Sequence, residues 1–307
     1  MHFTHESMLE ILELLKEKLQ ESDEVSFEVL NPDIADGTYA GEIIELEGRR
    51  YLYRSLKAWS DLAQLLFCKM RVPEKLSDER IRVHFIKLNT QSSFHTKKVE
   101  KKQEKYGLDS HFFNIHKNEE PVFIEAYSKA LKSVGIEKRN RILNLGINRA
   151  DEFEVIESLV DDEVFAQMDL VGIDHSQTAI EEAQKRFVTK CFYTLDLNNM
   201  NTLDLGKFDL IISIGTLQSP SINFKLFFNS LVQNYLNPNG AMILGFPNSR
   251  WLDGEMVYGA KMPNYSDSDL SLVIGDIHYC KKYLQQKKFR VRITGRDYLF
   301  LTATKIS

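Results

Sequence analysis

The segment from Lys138 to Ser176 constrains the fold more than any other part of this chain. It holds an apolar run, Arg141-Ile142-Leu143-Asn144-Leu145-Gly146, then a helical pattern, then a second run, Leu170-Val171-Gly172-Ile173-Asp174. Short runs that are apolar throughout, without alternation, belong to strands buried on both faces. Two of them joined by a helix form a right-handed crossover between parallel strands. This places Asp174 at the carboxyl edge of a sheet, beside a helix N-terminus. Doubly wound sheets hold nucleosides at that edge, where an acid accepts hydrogen bonds from ribose hydroxyls.

The same alternation continues along the chain. After a helix over Val122–Val134, strands are predicted near 140–145, 169–173, 190–195, 208–214 and 240–246, with helices near 150–160, 176–187 and 221–236. The chain ends differently, in a helix over Leu270–Gln286 and two strands, Phe289–Ile293 and Tyr298–Thr304, joined at Gly295. So short a connection makes that last pair antiparallel. The expected fold class is α/β: a doubly wound, mostly parallel seven-stranded sheet with an antiparallel C-terminal hairpin. A small α+β domain is expected before it, with a helix over residues 5–21, a strand near Val25–Leu30, a hairpin pairing Gly41–Leu46 with Arg49–Arg54, a helix over Leu56–Met70 and a strand over Ile81–Leu88. The predicted boundaries are 1–90 for this domain, 91–120 for a polar linker or helix, and 121–307 for the α/β domain. The linker carries Lys97, Lys98, Lys101, Lys102 and Lys105 beside Glu100 and Glu104, which reads as a solvated helical face.

Composition excludes several classes. A formal net charge of -5 over 307 residues argues against a protein whose whole surface binds polyanions. The three cysteines, Cys68, Cys191 and Cys280, are isolated and have no metal or redox spacing, which suits a reducing compartment. No secretory pattern opens the sequence and no apolar run has membrane length, so a cytoplasmic protein is expected, with no membrane and no metal partner.

A parallel α/β sheet closed by an antiparallel hairpin resembles the class I, Rossmann-like, S-adenosylmethionine-dependent methyltransferases. The resemblance covers roughly residues 121–307 and rests on five segments in order. They are Ile142-Leu143-Asn144-Leu145-Gly146; Gly172-Ile173-Asp174-His175-Ser176; Leu195-Asp196-Leu197; Phe208 through Leu217; and Leu236-Asn237-Pro238-Asn239-Gly240 through Leu244. It implies a cofactor-binding set of Asn144, Gly146, Asn148, Asp174, His175, Asp196, Leu197, Ser213, Ile214 and Gly215. In that set Gly146 permits close backbone approach, Asp174 takes both ribose hydroxyls, and Asp196 with the Leu197 amide holds the adenine edge. Ser213–Gly215 forms the floor beneath the sulfonium. No catalytic side chain is assigned, because in-line methyl transfer depends on alignment more than on a protein nucleophile.

The chain departs from the family pattern in its glycine loop. Asn144 stands where an acid is usual, and Asn148 and Ala150 stand where further glycines are common. Asn tolerates left-handed backbone angles, which suits position 148. Asp151 or Glu152 could replace the missing acid. Each residue also has a plain structural reading: Asn144, Asn148 and Asp174 are all competent helix caps. The nicotinamide-dependent oxidoreductases fit poorly, since Gly-x-Gly-x-x-Gly is missing.

The acceptor side is less determined. Residues from Phe246 to Asp269 form a long segment rich in Asn248, Arg250, Trp251, Glu255, Tyr258, Lys261, Asn264 and Tyr265, read as a loop that lids a substrate or covers a sheet end. Between Lys281 and Arg296 lie seven cations and no acid, and Arg290 and Arg292 alternate on one strand face, as phosphate contacts would. Asn248, Arg250, Trp251, Tyr258, Arg290 and Arg292 are therefore the candidate substrate residues. The acceptor is RNA or a small molecule; Ile214-Gly215-Thr216-Leu217 lacks the Asn/Asp-Pro-Pro-aromatic pattern of base-amine methylation. His111, His116 and His175 are potential bases, although scattered histidines are more often structural. A reading from another class is a catalytically silent adaptor that keeps the fold and binds RNA or protein.

Overall fold

The computed structural model describes residues 1–89, 110–258 and 270–306, with the backbone alone for His111 and Phe112. The chain divides into two compact units, Met1–Ser93 with Trp251–Val257, and Phe94–Arg250 with Tyr258–Ser307.

In the first unit, helix α1 (Met8–Glu21) opens on a reciprocal cap. The Ser7 hydroxyl accepts from the Glu10 amide, and the Glu10 carboxylate accepts from the Ser7 amide. Strand β1 (Glu24–Leu30) follows, then the hairpin β2 (Ile43–Leu46) and β3 (Arg49–Leu52), helix α2 (Leu56–Leu65), and strands β4 (Cys68–Met70), β5 (Glu74–Lys75) and β6 (Arg80–Lys87). Strand β6 lies between β1 and β4, antiparallel to both. Its alternating Ile81, Val83 and Phe85 face Ile11, Leu15, Phe27 and Trp59 in one core.

The helix expected to reach Met70 ends at Leu65. Phe67 turns through a left-handed conformation (φ 52°) and Cys68 enters β4. Leu66-Phe67-Cys68 extends the apolar pattern, but Cys68 pairs with Lys87 and Met70 with Phe85 on β6, which claims this stretch for a sheet edge.

The second unit begins with helix α3 (Pro121–Ser133) and continues with β7 (Arg141–Leu145), α4 (Asp151–Leu159), α5 (Asp162–Gln167), β8 (Asp169–Asp174), α6 (Gln177–Arg186), β9 (Cys191–Thr194) and β10 (Phe208–Ile214). Helix α7 (Phe224–Ser230), strand β11 (Leu236–Pro247), helix α8 (Ser271–Gln286), β14 (Phe289–Gly295) and β15 (Tyr298–Lys305) complete it, while most of the hairpin strands β12 (Ser249–Leu252) and β13 (Glu255–Tyr258) falls in Trp251–Val257, which groups with the first unit. The sheet order is β14-β15-β11-β10-β7-β8-β9. Strands β11, β10, β7, β8 and β9 run parallel, while β15 is antiparallel to β11 and β14. This is the α/β architecture expected from the sequence, with helices on both faces.

Side chains alternate between the two faces. Leu143, Leu145, Val171, Ile173 and Ile211 pack with Phe228, Ile277 and Leu284 on one side. Ile142, Leu170, Leu210 and Ile212 pack with Phe123, Tyr127 and Phe153 on the other. Three local expectations change. The helix expected over 221–236 stops at Ser230 and widens into a π-helical turn, closed by the Leu236 amide on Leu231 O, so β11 starts four residues early. Helix α5 was not expected; at six residues it is too short for a periodic signal. The segment read as a loop after Phe246 instead holds β12 and β13, joined by Asp253 (φ 50°) and Gly254 (φ 81°). Asp-Gly with both angles positive is a hairpin turn signal legible in the sequence.

Candidate functional site

The parallel strands β7, β8 and β10 end side by side, and β7 is the central strand of the three. Helix connections leave on opposite faces at this point, which is where an open α/β sheet forms a crevice. The loop after β7 decides what that crevice can hold. Gly146, Asn148 and Ala150 have φ values of 74°, 49° and 68°, so every second residue is left-handed. The chain thus keeps the backbone course of a loop with three alternating glycines while supplying only one. Gly146 is required for space as well: an added Cβ would sit 1.9 Å from Thr216 Oγ1. Ala150 has no such excuse and bears a cost of about 1–2 kcal/mol for its conformation. Ala150→Gly is therefore expected to raise stability by about 1 kcal/mol, net of the methyl burial lost, in a urea titration.

Asp174 ties the loop to β8. Its Oδ2 accepts from the Asn148 amide at 2.9 Å and its Oδ1 from the Ser176 amide at 3.0 Å, while His175 Nδ1 lies 3.3 Å from Oδ1. The residue is only 5% exposed. Each carboxylate oxygen keeps a second lone pair, so the pair of oxygens can still accept from a vicinal diol. The Leu195 amide donates to Asp174 O at 2.7 Å, which carries the chain from β9 past this carboxylate to Asp196. Asp196 is exposed and caps the following 3₁₀ turn through the Asn198 amide; Leu197 is buried in the core beneath it.

Asn144 is fully buried, and neither its Oδ1 nor its Nδ2 has a partner. Ser213 Oγ is likewise buried and unpartnered. Orphaned buried polar atoms of this kind are costly and rare, and they gather where a polar ligand completes the bonding. By strand alternation Asn144 lies on the face with Ile142 and Ile212, and Ser213 on the opposite one. Ile214 shares the Asn144 face, and Gly215 turns the chain (φ 77°) with its amide on Gly245 O.

The first turn of α4 supplies acids on that same face. Asp151 is already committed: Arg149 Nε reaches both its oxygens at 3.1 Å and Arg186 donates to it at 2.7 Å. Arg149 also contacts the His116 ring and donates to Phe113 O, so His116 is a structural partner of this arginine. Glu152 is different. It is 7% exposed, and burial pushes its carboxyl up to about 7, against the attraction of Lys117 and with further repulsion from Asp151 and Asp174. Lys117 lies over the Tyr298 ring at 5.6 Å. Burial opposes its charge, yet Tyr298, Glu152 and Asp151 together hold its ammonium above the ordinary range. A carboxyl raised from 4.5 to about 7 stabilises the fold fully below pH 4.5 and ceases to do so as pH rises through 7. Thermal stability is thus expected to fall across that window by on the order of 3 kcal/mol, and Glu152→Gln to flatten the fall.

The candidate substrate residues do not form one site. Asn248 is buried, with its amide on Asp297 O at 2.8 Å and its Nδ2 on Arg296 O at 3.0 Å, so it pins the end of β11 to the turn before β15. Arg250 is partly buried, with Nε unpartnered, and burial lowers its pKa. Trp251 belongs to the first unit, and Tyr258 is exposed. Lys261, Asn264 and Tyr265 lie outside the described residues, as do the lysines of the 89–106 stretch. Arg290 and Arg292 pair with Thr304 and Thr302, on the sheet face that carries Phe300 and α3. Helix α8, with Lys281 and Lys282, covers the other face, where Phe289 and Leu284 pack. The basic run is therefore split across the sheet and does not make a single surface. His111 has no described side chain.

The model of a family described as a methyltransferase domain matches residues 136–293, more than half the chain. This chain belongs to that family. The expectation of a class I, Rossmann-like member is thereby met. No curated protein matches the sequence. Among solved structures, the plantazolicin methyltransferase BpumL in complex with SAH is 14% identical, with 66% of this chain and 94% of that chain covered and a TM-score of 0.48. A TehB-like SAM-dependent methyltransferase from Corynebacterium glutamicum is 13% identical over 59% of this chain and 87% of its own, at 0.40. The magnesium protoporphyrin IX methyltransferase from Synechocystis, with bound SAM, is 18% identical over 60% and 78%, also at 0.40. Likenesses this distant are of chain trace alone. Among the described residues, no group of three His, Cys, Asp or Glu is placed to hold a metal, and no helix is long and apolar enough to cross a membrane.

Proposed function

We propose that the chain is a methyltransferase that binds S-adenosylmethionine at the ends of β7, β8 and β10 and passes its methyl group to a small-molecule acceptor. The observation that carries this reading is the loop of three alternating left-handed residues set against Asp174. The loop lets backbone approach the cofactor closely, and the carboxylate offers two acceptors to the ribose diol. The orphaned Asn144 fits a ligand with polar groups at its amino-acid end, and Ser213, on the opposite face, is assigned to the floor beneath the sulfonium. His175, Asp196 and the Leu197 amide are assigned to the nucleoside, and Ile214 and Gly215 to the wall beside the sulfonium. The cofactor supplies an electrophilic methyl on sulfur; the chain's residues hold that end still, exclude water and leave the acceptor to approach in line.

A small molecule is favoured over RNA because Arg290 and Arg292 lie on the sheet face away from α8, which leaves no continuous cationic surface in this run. A silent adaptor is favoured only by the depleted loop, whose Gly146 and Ile147 amides already donate to Ile173 O. Incubation with methyl-labelled cofactor and fractionated cell extract separates these readings. Label is expected in the low-mass fraction. Label in RNA would replace the acceptor class, and no label in any fraction would favour the adaptor.

A further inference from the structure

We infer that Glu152 takes over the role of the acid missing from β7, receiving the ammonium of the cofactor's amino-acid end, with Asn144 as a neutral hydrogen-bonding partner. This inference rests on the cofactor reading above and goes past it, to the residue that distinguishes the whole cofactor from its nucleoside part. The physical difficulty is plain: a cationic amine entering a buried crevice needs a nearby negative charge. Asn144, on the strand, supplies an acceptor and two donors but no charge. Of the three acids in the first turn of α4, Asp151 is neutralised by Arg149 and Arg186, at 3.1 Å and 2.7 Å, and Glu154 is exposed and paired with Arg186 at 3.1 Å. Asp174 is bonded to the loop amides. Glu152 remains, 7% exposed and within electrostatic reach of Asp174, Tyr127 and Lys117. No arginine or lysine is paired with it in a salt bridge among the described residues, although the Lys117 charge attracts it.

The groups facing Glu152 come from each element around it: Lys117 ahead of α3, Tyr127 on α3, Asp151 beside it, Asp174 on β8, and Tyr298 of β15 against Lys117. The Glu152 charge thus answers the ammonium of the amino-acid end, and the nucleoside alone would not meet it.

Calorimetric titration with S-adenosylhomocysteine and with 5′-methylthioadenosine, which lacks the amino-acid end, tests this at pH 6 and pH 8. Wild-type protein is expected to bind the first ligand several-fold more tightly at pH 8, as Glu152 ionises, and the second equally at both. Glu152→Gln is expected to lose about tenfold or more for S-adenosylhomocysteine at pH 8, to lose the pH dependence, and to keep its affinity for methylthioadenosine. Unchanged affinity for S-adenosylhomocysteine in the variant would overturn the inference. So would an equal loss for both ligands in a variant that melts normally. Wild-type protein that binds neither ligand would overturn the cofactor reading itself, a distinct result.

Discussion

Asp174→Asn is expected to lower unfolding stability by about 2–3 kcal/mol and to weaken cofactor binding at least tenfold. The substitution conserves shape and removes one acceptor. In the wild type both carboxylate oxygens accept backbone amides, Asn148 at one and Ser176 at the other. An amide side chain has a single oxygen, so its NH2 group must face one of those N–H donors. Either the Asn148 link or the Ser176 link is then lost in a region that is almost fully buried. Loss of the first frees the loop after β7; loss of the second uncaps α6, whose start is otherwise held by Ser176 on the Ala179 amide. The diol would also face a donor where it needs an acceptor. Urea denaturation and calorimetric titration separate the two effects. Stability loss with unchanged affinity would assign Asp174 to loop bracing alone.

Gly146→Ala is the second large effect. The added methyl would be placed 1.9 Å from Thr216 Oγ1 and 2.7 Å from its Cγ2, far inside contact distance. The φ of 74° adds a left-handed penalty of about 1–2 kcal/mol. Overpacking adds about 1–3 kcal/mol more, so a total near 3 kcal/mol is expected, read as a lowered melting temperature. The loops after β7 and β10 would be forced apart, and cofactor affinity is expected to fall with them. Gly146→Ala/Thr216→Ser removes Cγ2 but leaves Oγ1 at the closest approach, so it should recover only part of the loss. Gly146→Ala/Thr216→Gly should recover more of the packing.

Much of this was legible in the residues, for physical reasons that differ from place to place. Strands buried on both faces write themselves as apolar runs, which is why Arg141–Leu145, Leu170–Asp174 and Phe208–Ile214 read correctly. Leu66-Phe67-Cys68 did not, because a helix continuing and a strand starting use the same apolar residues. The left-handed course through Asn148 and Ala150 was half visible: Asn announces such a conformation, and Ala does not. Glu152 was less visible still, since an acid in the first helical turn ordinarily complements the helix dipole at the surface. The charges and polar groups that it feels, Lys117, Tyr127 and Asp174, come from other elements. The cations from Lys281 to Arg296 look like one patch in sequence. Strand alternation and the helix on the opposite face divide them.

The most direct test of the central claim is titration of the wild-type chain with S-adenosylhomocysteine, read by heat and by melting temperature together. The account predicts saturable binding at one site per chain with a rise in melting temperature, both weakened by Asp174→Asn under conditions where that variant is folded. Absence of heat and of any melting shift at millimolar ligand, in protein that unfolds cooperatively, would contradict it.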